Sequence, residues 1–204
     1  MMQHLEILVE EASAEAFLSA WLPRFLDDRA TFNIHAFQGK SDLLANLERR
    51  LKGYARWLPD YARIVVLIDR DSADCAALKA KLERAAAAAG LPTRTVVGGP
   101  NWKVANRILI EELEAWYFGA WESVLRAYPR ALANVPLKAA WRQSDQIAGG
   151  TWEAFERVMK KGGYFEGGLR KIEAAQAIGA EFNANECNSP SFTIFYAAVL
   201  EAVA

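Results

Sequence analysis

The stretch Arg63 to Arg70 reads RIVVLIDR. Its five consecutive apolar residues, Ile64 to Ile68, show no polar alternation, which is the pattern of a strand covered on both faces at the centre of a parallel sheet. Outward from it, strand-like and helix-like patterns alternate. His4 to Glu10 (HLEILVE) and Thr31 to Phe37 (TFNIHAF) read as strands. Between them Phe17, Trp21 and Phe25 recur at helical spacing, with Pro23 expected to kink or end that helix. Ser41 is the expected N-cap of the next helix, whose apolar face carries Leu44, Leu47, Leu51 and Tyr54. A helix over Asp74 to Ala89 stops at Gly90 and Pro92. Thr93 to Val97 is predicted as a fourth strand and Val104 to Ile110 as a fifth. This order implies an α/β fold with right-handed connections and a parallel sheet flanked by helices.

Beyond Trp121 the strand patterns give way to helices. Thr151 is expected to cap a helix carrying Trp152, Phe155 and Val158. Ser189 and Pro190 open the last one, with Phe192, Phe195, Tyr196 and Val199 as its buried stripe. The expected organisation is an α/β core over residues 1–120 and a helical C-terminal extension over residues 121–204 packed on it.

Among the 204 residues, 24 basic side chains stand against 25 acidic ones. That balance excludes a surface that is basic all round, but not a nucleic acid held locally. No apolar run reaches the 18 residues a membrane span needs, and the first residues show no export leader, so the expected location is the cytoplasm. Cys75 and Cys187 are expected to be free thiols. The seven tryptophans read first as core and second as a platform for bases. His4 and His35 fall in strands without zinc-ligand spacing, and no glycine-rich nucleotide loop occurs.

Ligands of open α/β sheets bind outside the carboxyl ends of the strands. Here the first strand ends in Glu10-Glu11, the third in Asp69-Arg70-Asp71, and the late one runs into Glu112 and Glu114. Carboxylates gathered at one sheet edge repel one another unless a cation lies between them, and hard divalent cations prefer such oxygens, so the pattern suggests a magnesium (or manganese) site. Each residue also has a plainer reading. Asp71 can cap the following helix, Glu10 and Glu11 can be a solvated strand end, and Glu112 and Glu114 can be acidic first-turn residues. Asp69 follows the apolar strand directly and has no helix to cap.

The segments Leu8-Val9-Glu10-Glu11-Ala12-Ser13 and Val66-Leu67-Ile68-Asp69-Arg70-Asp71 resemble the TOPRIM domain shared by topoisomerases, DnaG-type primases and OLD-family nucleases. The resemblance covers roughly residues 4–120. More narrowly, the whole chain resembles a bacterial TOPRIM-like family of unknown function, through Glu112-Leu113-Glu114-Ala115-Trp116 and the closing Ser191-Phe192-Thr193-Ile194-Phe195. Glu-Gly is the commoner pair after the first strand, and Glu11 is a departure from it. The resemblance implies a TOPRIM-like Rossmannoid core that breaks phosphodiester bonds of DNA or RNA with Mg2+ (or Mn2+). Asp69 and Asp71 would be metal ligands, and Glu10 a ligand or proton carrier. Glu112 and Glu114 are additional candidate ligands. The resemblance also implies nucleic acid as partner, a possible partner ATPase and a role in phage defence.

Lys103 and Arg107 precede the late acidic pair and are candidates for phosphate binding; their plainer reading is solvated surface charge. Gly167-Gly168-Leu169-Arg170-Lys171 could open a helix towards an anion, or be an ordinary turn. Two other functions fit the residues less fully. A haloacid-dehalogenase-like phosphatase would use Asp69 as nucleophile but leaves Glu10 unexplained. A non-catalytic TOPRIM-like scaffold would bind a partner or a nucleic-acid end.

Overall fold

The computed structural model describes residues 2–147 and 149–204. The central apolar run forms β3 (Ala62–Asp69), which lies between β1 (Gln3–Val9) and β4 (Val104–Leu109); β2 (Ala30–Ala36) pairs with the outer side of β1. The order is β2-β1-β3-β4 and all three pairings are parallel. Helix α1 (Ala12–Leu26) links β1 to β2, α2 (Lys40–Trp57) links β2 to β3, and α3 (Cys75–Ala88) lies between β3 and β4. The first connection runs one way across the sheet and the later two run the other way. Right-handed crossovers therefore place α1 on one face and α2 with α3 on the opposite one.

The two faces divide the core. Leu5, Ile7, Val9, Val65 and Leu67 pack on the α1 side. Leu8, Ile64, Val66 and Ile68 pack against Leu43, Leu47 and Leu51 of α2 and Leu78 and Leu82 of α3. The double covering that the unbroken apolar run implies is thus realised, with side chains alternating between two separate clusters.

Two expectations about elements are corrected. Thr93–Val97 is not a strand: Arg94–Val97 forms a short helix, α4, and only Thr93 makes a single bridge, to Val104. The hydroxyl of Thr93 accepts the Val96 N–H at 3.3 Å, and Gly98 closes the turn at φ 63. A good N-cap and a left-handed C-cap five residues apart outweigh the strand preference of two adjacent valines. Val104–Leu109 is consequently the fourth strand, not a fifth. Helix starts also differ in detail. Gly39 caps α2, with Ser41 inside the helix, and Gly150 caps α7 (Thr151–Lys161), with Thr151 as its first residue. Helix α1 continues past Pro23 to Leu26, and the Asp27 N–H donates to the Pro23 carbonyl at 3.2 Å.

The remaining helices, α5 (Glu114–Gly119), α6 (Trp121–Ala127), α7, α8 (Lys171–Glu181) and α9 (Pro190–Ala202), gather on the α1 side. α8 crosses α1, and α9 lies over β1, β3 and β4. Ser189 caps α9 as expected, accepting the Phe192 N–H at 3.1 Å. Trp116 of α5 meets Phe192 and Phe195 of α9, each with ring centroids 5.1 Å away. The sheet and the helices after residue 120 therefore share one cluster. No helix among the described residues is long and apolar enough to cross a membrane.

Candidate active site at the carboxyl ends of β1 and β3

The chain leaves β1 towards β2 and returns on the other side of β1 to build β3 and β4. The gap between the carboxyl ends of β1 and β3 is therefore the topological switch point of the sheet, where open α/β folds hold ligands. Glu10 follows β1, and its Oε2 accepts the backbone N–H of Asp69, at the end of β3, at 3.1 Å. Two acidic residues far apart in sequence are joined there directly. The Gly39 N–H donates to the Glu10 carbonyl at 3.0 Å, which ties the start of α2 to the same place.

Asp71 is half-exposed and adopts φ 47, a left-handed conformation uncommon outside glycine. It does not cap α3. That role falls to Asp74, whose side chain accepts the Ala77 N–H at 2.7 Å. The Asp71 carboxylate instead pairs with Lys40, whose Nζ also donates to the Arg70 carbonyl at 3.0 Å. The Asp71 N–H donates to the carbonyl of Glu111, itself at φ 62, at 3.2 Å, and Arg70 forms an ion pair with Glu111. The loops after β3 and β4 are thus clasped together, with two non-glycine residues held in a sparsely populated conformation, a kind of local strain that clusters at functional sites.

The electrostatics are those of crowded carboxylates. Burial pushes the Asp69 carboxyl well above its usual range, and the charges of Glu10, Glu11, Glu114 and Asp71 push it further. Burial also raises Glu10, against the pull of Lys40 and of its bond from the Asp69 N–H. Glu114, 3% exposed at the start of α5, is pushed up to about 7 by burial, against the opposing charge of Lys171. Lys171, the first residue of α8, is drawn down by burial, but Glu114, Glu11, Glu112 and Asp69 more than offset this and raise it. Its Nζ lies over the Trp152 ring, 5.2 Å from the centroid. Glu11 bonds the Ser13 hydroxyl. Its charge bears on Glu10, Asp69, Glu114 and Lys171, and so belongs to the same cluster.

The other candidates divide. Glu112 holds the start of α7: its Oε2 accepts the Trp152 N–H and the Thr151 hydroxyl, each at 3.0 Å. Lys103 precedes β4, at the opposite edge of the sheet, where its Nζ donates to the carbonyls of Pro59 and Asp60. Arg107 is buried in β4 and donates to the Asn106 carbonyl at 2.9 Å; its charged neighbours are Arg94, Glu201 and Glu83. Neither basic residue is joined to the carboxylate cluster. Lys40 is, and sequence reasoning passed over it. The same strand-end rule that singled out Glu10 and Asp69 would have found it, since Gly39-Lys40 follows β2 as Glu10 follows β1.

The donor set, carboxylate oxygens in mutual repulsion, suits a hard divalent cation in kind. As the side chains stand, no group of three His, Cys, Asp or Glu residues among the described residues is arranged to hold a metal ion. A cation would have to draw the carboxylates together by side-chain rotation.

Residues 9–200 match the model of a family described as a domain of unknown function, DUF4276. Among solved structures, the fold is similar to the C-terminal region of the Burkholderia pseudomallei OLD protein, with a TM-score of 0.53 and 17% identity over 100% of both chains. That identity speaks for the fold alone: a four-stranded parallel sheet flanked by helices. A comparison with curated proteins gives no match.

Proposed function

The chain belongs to the DUF4276 family, and we propose that it hydrolyses phosphodiester bonds of nucleic acid at the carboxyl ends of β1 and β3. The observation that carries this reading is the bond between Glu10 and the Asp69 backbone across the switch point, with Asp71 two residues further on. The resemblance of these segments to TOPRIM domains, and a fold like that of the OLD C-terminal region, support it. Glu10, Asp69 and Asp71 would hold Mg2+ or Mn2+, with Glu114 at the border of the set. When bound, the cation supplies Lewis-acid stabilisation of the phosphoryl oxygens and of the attacking water.

The protein's own groups would do the rest. Glu10 would serve as a ligand or, where it does not bind the cation, carry a proton between water and the leaving oxygen. Lys40 and Lys171 flank the carboxylates and would bind the non-bridging phosphate oxygens in place of Lys103 and Arg107. Burial of Asp69 keeps water from screening these charges. A phosphatase using Asp69 as nucleophile gives no role to the Glu10 bond. A partner ATPase and a role in phage defence belong to the same reading through the OLD resemblance.

The test is incubation of the protein with plasmid, single-stranded DNA and RNA in Mg2+ or Mn2+, beside Asp69→Asn and Glu10→Gln. Cleavage by wild type, slowed at least about 100-fold in both variants, is expected for the loss of a positioned ligand or proton carrier. Intact substrates with wild type, or equal cleavage by Asp69→Asn, would rule the proposal out.

A further inference from the structure

The net charge of −1 conceals a strong local asymmetry. Helix α2 carries Lys40, Arg49, Arg50, Lys52 and Arg56 against only Asp42 and Glu48. Glu48 is already paired with Lys52 at 2.6 Å. Arg49, Arg50 and Arg56 are exposed, Arg49 and Arg56 on the side of α2 turned away from its buried leucines and Arg50 at the flank of that stripe, one turn before Tyr54. At 1.5 Å per residue the helix is roughly 27 Å long. It starts at Lys40, in contact with Asp71 of the carboxylate cluster, and ends at Trp57.

Trp57 is the exposed tryptophan of this chain, at 62%; Trp21, Trp102, Trp116 and Trp121 are buried and Trp141 and Trp152 half-buried. Its ring rests on Tyr54, with centroids 5.5 Å apart, and the Arg50 guanidinium lies over the same Tyr54 ring at 6.0 Å. Tyr54 is itself anchored in the core by its hydroxyl, which donates to Glu6 at 2.7 Å. A depression of about 590 Å³ beside β2 is lined by Asn46, Arg49, Arg50, Tyr54 and Trp57, with Asp42 as its one acidic residue among the described residues. Arginines and an outward indole on a rigid support are the two components with which proteins bind single strands: cations for the phosphates and an aromatic face for an unpaired base. A duplex keeps its bases stacked and offers nothing to that indole.

We propose that the exposed face of α2 binds single-stranded nucleic acid, with phosphates on Arg49, Arg50 and Arg56 and a base on Trp57, as the track that brings a strand to the carboxylate crevice. Only its last clause rests on the phosphodiester reading.

The test is fluorescence anisotropy with labelled oligothymidylate in EDTA, so that nothing is cleaved, over a series of salt concentrations. R49E/R50E/R56E should bind at least about tenfold more weakly, with the log–log salt slope shallower by about 2, from roughly 0.7 per lost phosphate contact. Trp57→Ala should lose about tenfold in affinity with the slope unchanged, because stacking releases no counterions. R49Q/R50Q/R56Q gives the same change of slope without reversed charge, which guards against misfolding of the glutamate variant. Identical binding by wild type and all three variants overturns the track. So does tighter binding of a hairpin duplex than of the single strand, or saturable binding of polyglutamate with none of the oligonucleotide. A wild type that binds through α2 but never cleaves leaves the track standing and removes the nuclease reading. Cleavage unaffected by R49E/R50E/R56E does the reverse.

Discussion

Glu6, in the middle of β1, is 2% exposed and accepts hydrogen bonds from His4 Nε2 at 2.8 Å, His35 Nε2 at 2.7 Å, Asn33 Nδ2 at 3.0 Å and the Tyr54 hydroxyl at 2.7 Å. Burial alone would raise its pKa. The four bonds outweigh burial and hold it at about 2, against 4.5 for a free side chain. A lowered carboxyl pKa means that the unfolded chain binds the proton more readily. The stabilisation is therefore complete above about pH 4.5 and is lost as the pH falls towards 2. We expect Glu6→Gln to cost about 2 kcal/mol at pH 7. Urea denaturation across pH should show the acid limb of wild type falling more steeply than that of the variant; parallel curves would refute this. None of it was legible in the sequence, where His4, Glu6 and His35 carry no shared motif. They meet only because β1 pairs with β2 in the register that sets Glu6 opposite Asn33. Glu10 and Asp69 were legible for the opposite reason: strand ends of a parallel sheet share one edge whatever the register.

At the scale of elements, the longest patterns read true and the short ones depended on their ends. β3 announced itself because five apolar residues in a row have few alternatives, whereas Thr93–Val97 is short enough for caps to decide. Helix crossings were not legible at all, and Gly179 shows why. On sequence it is a weak point within α8, and replacement by alanine should stabilise an exposed helix by up to about 1 kcal/mol. In the fold, a Cβ at that position would lie 2.5 Å from the Phe17 carbonyl oxygen and 3.1 Å from the Ala20 Cβ, on α1. The obstacle is backbone, which yields only by separating the two helices. Overpacking of this kind costs about 1–3 kcal/mol, enough to reverse the sign. Gly179→Ala should therefore lower the denaturation midpoint, measured by far-ultraviolet circular dichroism. A raised midpoint would mean that the α1–α8 crossing relaxes freely.

The molecule as a whole has a sheet that its own crossover helices cover unequally. α2 and α3 close one face, but α1 alone does not close the other, and the helices from α5 onward complete it. Phe192 of α9 marks the junction: 1% exposed, it packs against Trp21 of α1 at 5.7 Å, Trp116 of α5 at 5.1 Å and Phe182 at 5.0 Å between ring centroids. The expected boundary near residue 120 followed from where strand patterns end, and such patterns carry no information about which surfaces later helices must cover. If the shared core makes sheet and helices one cooperative unit, damage at Phe192 must be felt everywhere. Phe192→Ala should cost about 3–5 kcal/mol. Far-ultraviolet dichroism, which follows all the helices including α2 and α3 on the opposite face, should then shift together with tryptophan fluorescence, which is weighted towards the aromatic side. A variant whose fluorescence transition moves while the dichroism keeps a second transition at the wild-type midpoint would show that the extension unfolds by itself. The carboxylate crevice, bordered by Lys171 and Glu114 from that side, would then be opened from the helical end before the sheet gives way.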